Sequence, residues 1–172
     1  LQAGRLRAGG VDLEDTNLQA RFRIDRRNDI VILTLPDVVR ARAAKATVGP
    51  AGIAVSPVAL SLSGDRADAF RFNIATGRSN LGLRLDVGAS TARTGDGSAE
   101  RLDLAPVALR LSGTADKTGD AILHLRVPNL SATRLGEAVV IDDLAATVRR
   151  VGNSHNGEMR GRVSLRRGGE PL

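Results

Sequence analysis

Apolar and polar residues alternate strictly over several stretches of the chain. Leu18, Ala20, Phe22 and Ile24 interleave with Gln19, Arg21, Arg23 and Asp25. Phe70, Phe72 and Ile74 flank Arg71 and Asn73, and Leu81, Leu83, Leu85 and Val87 flank Gly82, Arg84 and Asp86. Leu123, Leu125 and Val127 enclose His124 and Arg126. A period of two sends successive side chains to opposite faces of a strand, so each stretch predicts a strand with one apolar and one polar face. Between them stand turn clusters: Arg27-Asn28-Asp29, Gly49-Pro50-Ala51-Gly52, Gly64-Asp65, Thr94-Gly95-Asp96-Gly97 and Lys117-Thr118-Gly119-Asp120. Strands that follow one another without helical periods predict an all-β antiparallel meander. Residues 37–48 fit either a short helix capped by Asp37 and ended by Gly49 or a weakly alternating strand. The strand is the reading adopted.

The chain also repeats itself. Ile53-Ala-Val-Ser-Pro57-Val-Ala-Leu-Ser-Leu-Ser-Gly64 returns as Leu102-Asp-Leu-Ala-Pro106-Val-Ala-Leu-Arg-Leu-Ser-Gly113. Weaker copies begin at Val11-Asp-Leu13-Glu-Asp15 and at Val139-Val-Ile141-Asp-Asp143. The shared unit is two apolar residues one apart, a Pro or Asp two positions on, and then an alternating strand. It predicts a strand, a kink where the ladder is interrupted, and a second strand. Glu14-Asp15 and Asp142-Asp143 fall at the kink, where their side-chain oxygens are expected to satisfy turn amides. Residues 1–172 are taken as one such β-repeat segment, cut from a longer protein because Leu1 opens the chain without Met.

Composition thins the core and removes most chemistry. There is no Cys, Trp or Tyr, and Phe22, Phe70 and Phe72 are the only aromatic residues with large rings. Leu, Val, Ile and Ala must therefore supply the apolar layer, without the rings that dominate most cores. Thiol nucleophiles, disulfides and Fe–S sites are excluded. His124, on the polar side of its strand, and His155, in the Gly152–Gly157 stretch read as a loop tip, make no zinc site. No phosphate-binding loop, dinucleotide fingerprint or nucleophile elbow occurs. Neither catalysis nor a metal or cofactor is expected. The formal charge of +6 is carried by arginine, Lys45 and Lys117 being the only lysines. Scattered arginines without aromatic platforms predict a solvated face, not nucleic-acid binding.

A one-sided meander must curl, stack or leave its apolar face for something else to cover. A closed β-sandwich or solenoid serving as a structural or protein-interaction module is one answer. Phrases such as Gly52-Ile-Ala-Val-Ser-Pro57 and Ala138-Val-Val-Ile-Asp-Asp-Leu144, with Ala/Gly-rich turns and almost no aromatics, resemble the AsmA-like superfamily, in style nearest its YdbH and TamB branches. The resemblance is one of texture and covers most of the chain. It implies a curved sheet forming a taco-like groove, tethered to the inner membrane by a part of the parent protein absent here, that carries phospholipid across the periplasm. It implies acyl chains, the remainder of the parent chain and envelope proteins as partners. The groove lining would be Leu18, Phe22, Ile24, Leu60, Leu62, Phe70, Phe72, Ile74, Leu83, Leu85, Leu109, Leu111, Leu123 and Leu125.

Overall fold

A computed structural model describes residues 2–49, 52–65, 68–93, 101–167 and 170–171. The described chain is all-β. The strands in order are β1 (Gln2–Ala8), β2 (Val11–Gln19), β3 (Arg23–Arg27), β4 (Ile30–Thr34), β5 (Val39–Ala43), β6 (Lys45–Val48), β7 (Ile53–Ser56), β8 (Val58–Gly64) and β9 (Phe70–Asn73). They continue as β10 (Arg78–Val87), β11 (Ser90–Arg93), β12 (Arg101–Leu104), β13 (Val107–Ala115), β14 (Ala121–Arg134), β15 (Glu137–Val151), β16 (Ser154–Arg167) and β17 (Glu170–Pro171).

Their pairing reduces to a simpler plan. Every ladder is antiparallel, and strands that follow one another without reversing direction are pieces of one long strand. The second long strand is β2 then β3, and the third is β4, β5 and β6. The fourth is β7, β8 and β9, the fifth β10 then β11, and the sixth β12 then β13. β1 precedes them, while β14, β15 and β16 follow as unbroken strands. Each long strand pairs with the one before and the one after, giving an up-and-down meander in a single sheet. Its outer strands do not pair with each other, so the sheet stays open.

Residues 37–48 are strand, as β5 and β6, with Ala44 between them. An isolated Ala/Arg-rich segment favours helix only weakly, and here ladders to β2 on one side and to β7 and β8 on the other override it. The expected turns at 28–29 and 117–120 do reverse the chain, and β6 and β7 pair on either side of Gly49 and Gly52, with Pro50 and Ala51 outside the described residues. Thr94–Gly97 lies outside the described residues. Gly64-Asp65 is different: it is no reversal but an interruption within the fourth long strand. Asp65 N and Ala69 O bond Gly82 O and N, both at 3.0 Å, so Asp65 and Ala69 stand opposite one glycine. His155 is also not in a loop. The turn is confined to residues 152–153, and His155 lies in β16 opposite Arg150.

The repeat finds its meaning in this plan. Its copies occupy the second, fourth, sixth and eighth long strands, so the repeating unit is a hairpin of two long strands. The kinks form a crease across the sheet, at Asp15, Ala44, Pro57, Gly88, Pro106, Pro128 and Asp143. Along it Ala44 N bonds Glu14 O at 3.0 Å, Gly88 N bonds Ala59 O at 2.8 Å, and Ala105 N bonds Ser131 O at 3.0 Å. Proline costs little here because the ladder is already broken at each of these points; the Ser56–Pro57 bond is cis. Where the copy carries Asp, the backbone turns left-handed, with φ of 50° at Asp15 and 51° at Asp143. Asp tolerates that region better than most residues. The expected role of side-chain oxygens there is not what is found among the described residues. Glu14 faces Lys45 at 3.5 Å, and Asp142 accepts from Asn129 at 2.7 Å. The crease uses aspartate for its backbone.

The repeat's closing glycine has a packing reason. A Cβ on Gly113 would stand 2.7 Å from Ile122 O and 3.1 Å from Leu123 Cδ1. Gly113→Ala is therefore expected to push β13 off β14 and cost about 1–3 kcal/mol. Urea unfolding of the two proteins side by side checks it, and an unchanged midpoint would refute it.

Surface ion pairs add local order. Arg5 and Arg7 both bond Asp12 across the first hairpin, with Arg5 Nε at 2.9 Å and Arg7 Nε at 3.0 Å. The Arg5 hydrogen bond, ahead of the Arg7 bond and both charges, holds the Asp12 carboxyl below the ordinary range despite some desolvation. Asp103 is lowered by Arg101 and then Thr91, and Asp116 by the Thr118 hydroxyl. Carboxyls depressed in the folded state stabilise it above their unfolded values of about 3.9, and this is lost as pH falls through the folded ones. Melting temperature is thus expected to be flat above about pH 5 and to fall below about pH 4. A midpoint that rises on acidification would contradict this.

Candidate functional site

Cross-strand partners in an antiparallel ladder share a face, so the register shows which residues lie together. One row runs Leu18, Ala41, Leu60, Val87, Val107. The next runs Val39, Leu62, Leu85, Leu109, and beyond it Leu83, Leu111, Leu125, Ala146, Met159. A further row joins Ile24, Leu33, Phe70 and Leu81 to Gly113, Leu123 and Val148. Phe72 sits between Val31 and Ser79. Since Leu81, Leu83, Leu85 and Val87 share one face of the unbroken β10, all these rows belong to one surface. It gathers twelve of the fourteen residues expected to line a groove. The other two sit at its rim: Phe22, 64% exposed, falls between β2 and β3, and Ile74, 45% exposed, follows β9.

The surface does not stop at the crease. On the far side lie the rows Leu13, Ala46, Val55, Ala92, Leu102 and Leu104, Ala132, Val139, Leu165, with Leu130, Ile141, Val163 beside them. In sequence, Leu13 and Leu18, or Val55 and Leu60, are five apart, which in a regular strand would put them on opposite faces. The extra residue at the crease cancels the odd step. β16 shows the result directly. It has no extra residue where β15 bulges between Asp142 and Ala145, and its Met159, Val163 and Leu165 are an even number apart. Their partners Ala146, Ile141 and Val139 therefore share that face. The far-side residues were missed as lining because their parity differs from that of the residues beyond the kink. The signal was in the repeat itself, whose paired apolar residues precede Pro or Asp.

Little covers this face. The buried apolar residues among those described are Ile32, Ala43, Ala46, Ala69, Val127 and Val140, and of these Ile32 and Val140 lie on the other face, beside Asp25 and Arg71 and beside Ser131 and Ser164. Leu60, Leu62, Leu83, Leu85, Leu109 and Leu111 are half-buried. Exposure rises toward the last strands, to 77% at Met159. The solvent-accessible surface is 11781 Å², whereas a compact protein of 18.0 kDa exposes about 8,000 Å². The face is broad. The depressions that do occur, of about 420 to 660 Å³, are lined largely by polar residues, among them Asp68, Arg71, Asn80 and His124.

The opposite face is polar. Arg84, Arg110, Arg126, Ala145 and Arg160 form one row, and Ser112, His124, Thr147 and Glu158 the next. His124 Nδ1 lies 3.0 Å from Thr147 Oγ1, a strand-surface contact. No family model, curated protein or solved structure matches the chain. A feature of this face that the alternation pattern did not reveal is the triplet Arg-apolar-Asp. Arg23 and Asp25, Arg84 and Asp86, and Arg101 and Asp103 pair along single strands at 2.9 to 3.0 Å. Residues two apart share a face, so each triplet closes its own ion pair around one residue of the apolar side. No helix among the described residues is long and apolar enough to cross a membrane.

Proposed function

We propose that the chain is a section of a hydrophobic path that takes up the acyl chains of phospholipid and conducts them between the inner and outer membranes of a bacterial envelope. It would work in the periplasm, tethered through other parts of its parent protein and continued by them or by envelope partners. The observation that carries this reading is the uncovered aliphatic face, continuous across the crease and along the meander. A monomer seldom leaves so large an apolar surface to water without a ligand or partner. Leucine, valine and isoleucine, with only Phe70 and Phe72 among them and Phe22 at the rim, form a smooth surface that imposes little shape on its occupant, which suits flexible acyl chains. The resemblance to AsmA-like proteins points the same way. The chain is read as a carrier, with no catalytic role.

A second reading rests on the edge of the sheet. β16 is fourteen residues long, and β17 pairs only with Arg166 and Arg167. A long edge with free backbone groups can accept a strand from another protein. The chain would then be an interaction module whose apolar face is covered by protein. Native mass spectrometry of the purified chain with lipid extraction separates the two. Co-purified phospholipid is expected, and a clean apo mass would favour the interaction module.

A further inference from the structure

The row Arg84, Arg110, Arg126, Ala145, Arg160 places three arginines directly opposite one another on adjacent strands, which lie about 4.8 Å apart, and a fourth beyond Ala145. Like charges in that relation destabilise a sheet. On this protein's polar face such repulsion is relieved elsewhere by an Asp two positions on. Arg110 and Arg126 have Ser112 and Pro128 at that position, and Arg160 has Arg162. The ion pairs they do make are long, Asp65 with Arg110 and Asp143 with Arg126, both at 3.8 Å. Among the described residues no carboxylate lies within ion-pair reach of Arg160. Arg84 is the one member that closes a triplet, with Asp86 at 3.0 Å. Arg110 and Arg126 are 57% and 66% exposed, so their donors are free to meet a ligand.

We infer that this arginine row is a docking surface for the phosphate groups of an anionic phospholipid membrane. From Arg84 to Arg160 the row crosses four strand spacings, about 19 Å, on a sheet face. Nothing there encloses a single small anion, so the array fits many phosphates presented on a surface. Nucleic acid fits less well. Among the described residues the polar face offers no Phe, Tyr or Trp ring on which bases could stack, and no helix projects to enter a groove. Charge complementarity therefore selects a lipid headgroup layer, bound on the face opposite the aliphatic one. This site does not depend on the apolar face carrying lipid.

The test is co-flotation of the chain with vesicles of phosphatidylcholine alone or with about a third phosphatidylglycerol. Binding is expected only with phosphatidylglycerol, and it should fall steeply with added salt. R110Q/R126Q/R160Q should reduce binding at least tenfold. Its melting temperature should be little changed, because repulsion is removed and only the two long, exposed contacts to Asp65 and Asp143 are lost. R23Q/R71Q/R101Q removes the same charge from arginines that already hold aspartates, and it should keep most of the binding. Equal loss in both variants would reduce the effect to net charge and overturn the site. So would equal binding to pure phosphatidylcholine, or displacement by duplex DNA at matched phosphate concentration.

Discussion

Leu83→Asp and Leu109→Asp are each expected to abolish lipid retention while leaving the sheet folded. Leu83 lies in the row with Leu111 and Leu125, and Leu109 in the row with Leu85 and Leu62, at the middle of the aliphatic face. Both are half-buried by neighbours in the sheet. A carboxylate at either position keeps its water, so the fold loses chiefly the transfer energy of one leucine, about 1–2 kcal/mol. In a protein of this size that lowers the melting temperature by only several degrees. An acyl chain crossing the row would instead have to strip that carboxylate of water, which costs several kcal/mol and excludes it. Mass spectrometry and circular dichroism read the two effects separately. Ser112→Asp, on the opposite face, should keep its lipid. Cooperative loss of β-structure in both leucine variants would mean a closed core and would overturn the open face.

The all-β meander and the polarity of its strands were legible because a period of two says directly which residues share a face. The unbroken β10, and β14 as far as Val127, fulfil that pattern residue by residue. Strand length was not legible. Gly64-Asp65 has the composition of a turn, yet opposite Gly82 it is a bulge, since two strand segments pair with β10 on the same side. Gly152–Gly157 reads as a loop, but a two-residue turn suffices there, and a ladder to β15 claims His155. Half of the apolar face was hidden for a related reason. A regular alternation assigns Leu13 and Leu18 to opposite sides, and only the extra residue at Asp15 reunites them. The arginine row was invisible because its members are 16 to 34 residues apart in sequence (84 to 110, 110 to 126, 126 to 160). Register alone makes them neighbours.

Deleting Asp143 should do far more damage than replacing it. The residue adopts φ of 51° at the bulge between Asp142 and Ala145, opposite Gly161 of β16. Asp143→Gly keeps the extra residue and removes the steric cost of the left-handed backbone. Its stability is expected to stay within about 1 kcal/mol of the parent, on either side of zero. Asp143→Val, a branched residue in the same conformation, should cost about 1–3 kcal/mol. Removal of the residue is a different event. With the parity correction gone, either Leu144, Ala146 and Val148 or Val139 and Ile141 must turn to the arginine-bearing face. The ladders from β15 to β14 and β16 then lose their register on one side of the crease. The deletion should therefore expose the amides of β14, β15 and β16 to rapid hydrogen exchange while β2 and β5 through β8 stay protected. It should also weaken retention of lipid, because the face is broken at the crease. A deletion variant with parental protection in β15 would show that the crease does not set the register, and the continuity of the apolar face would then need another cause.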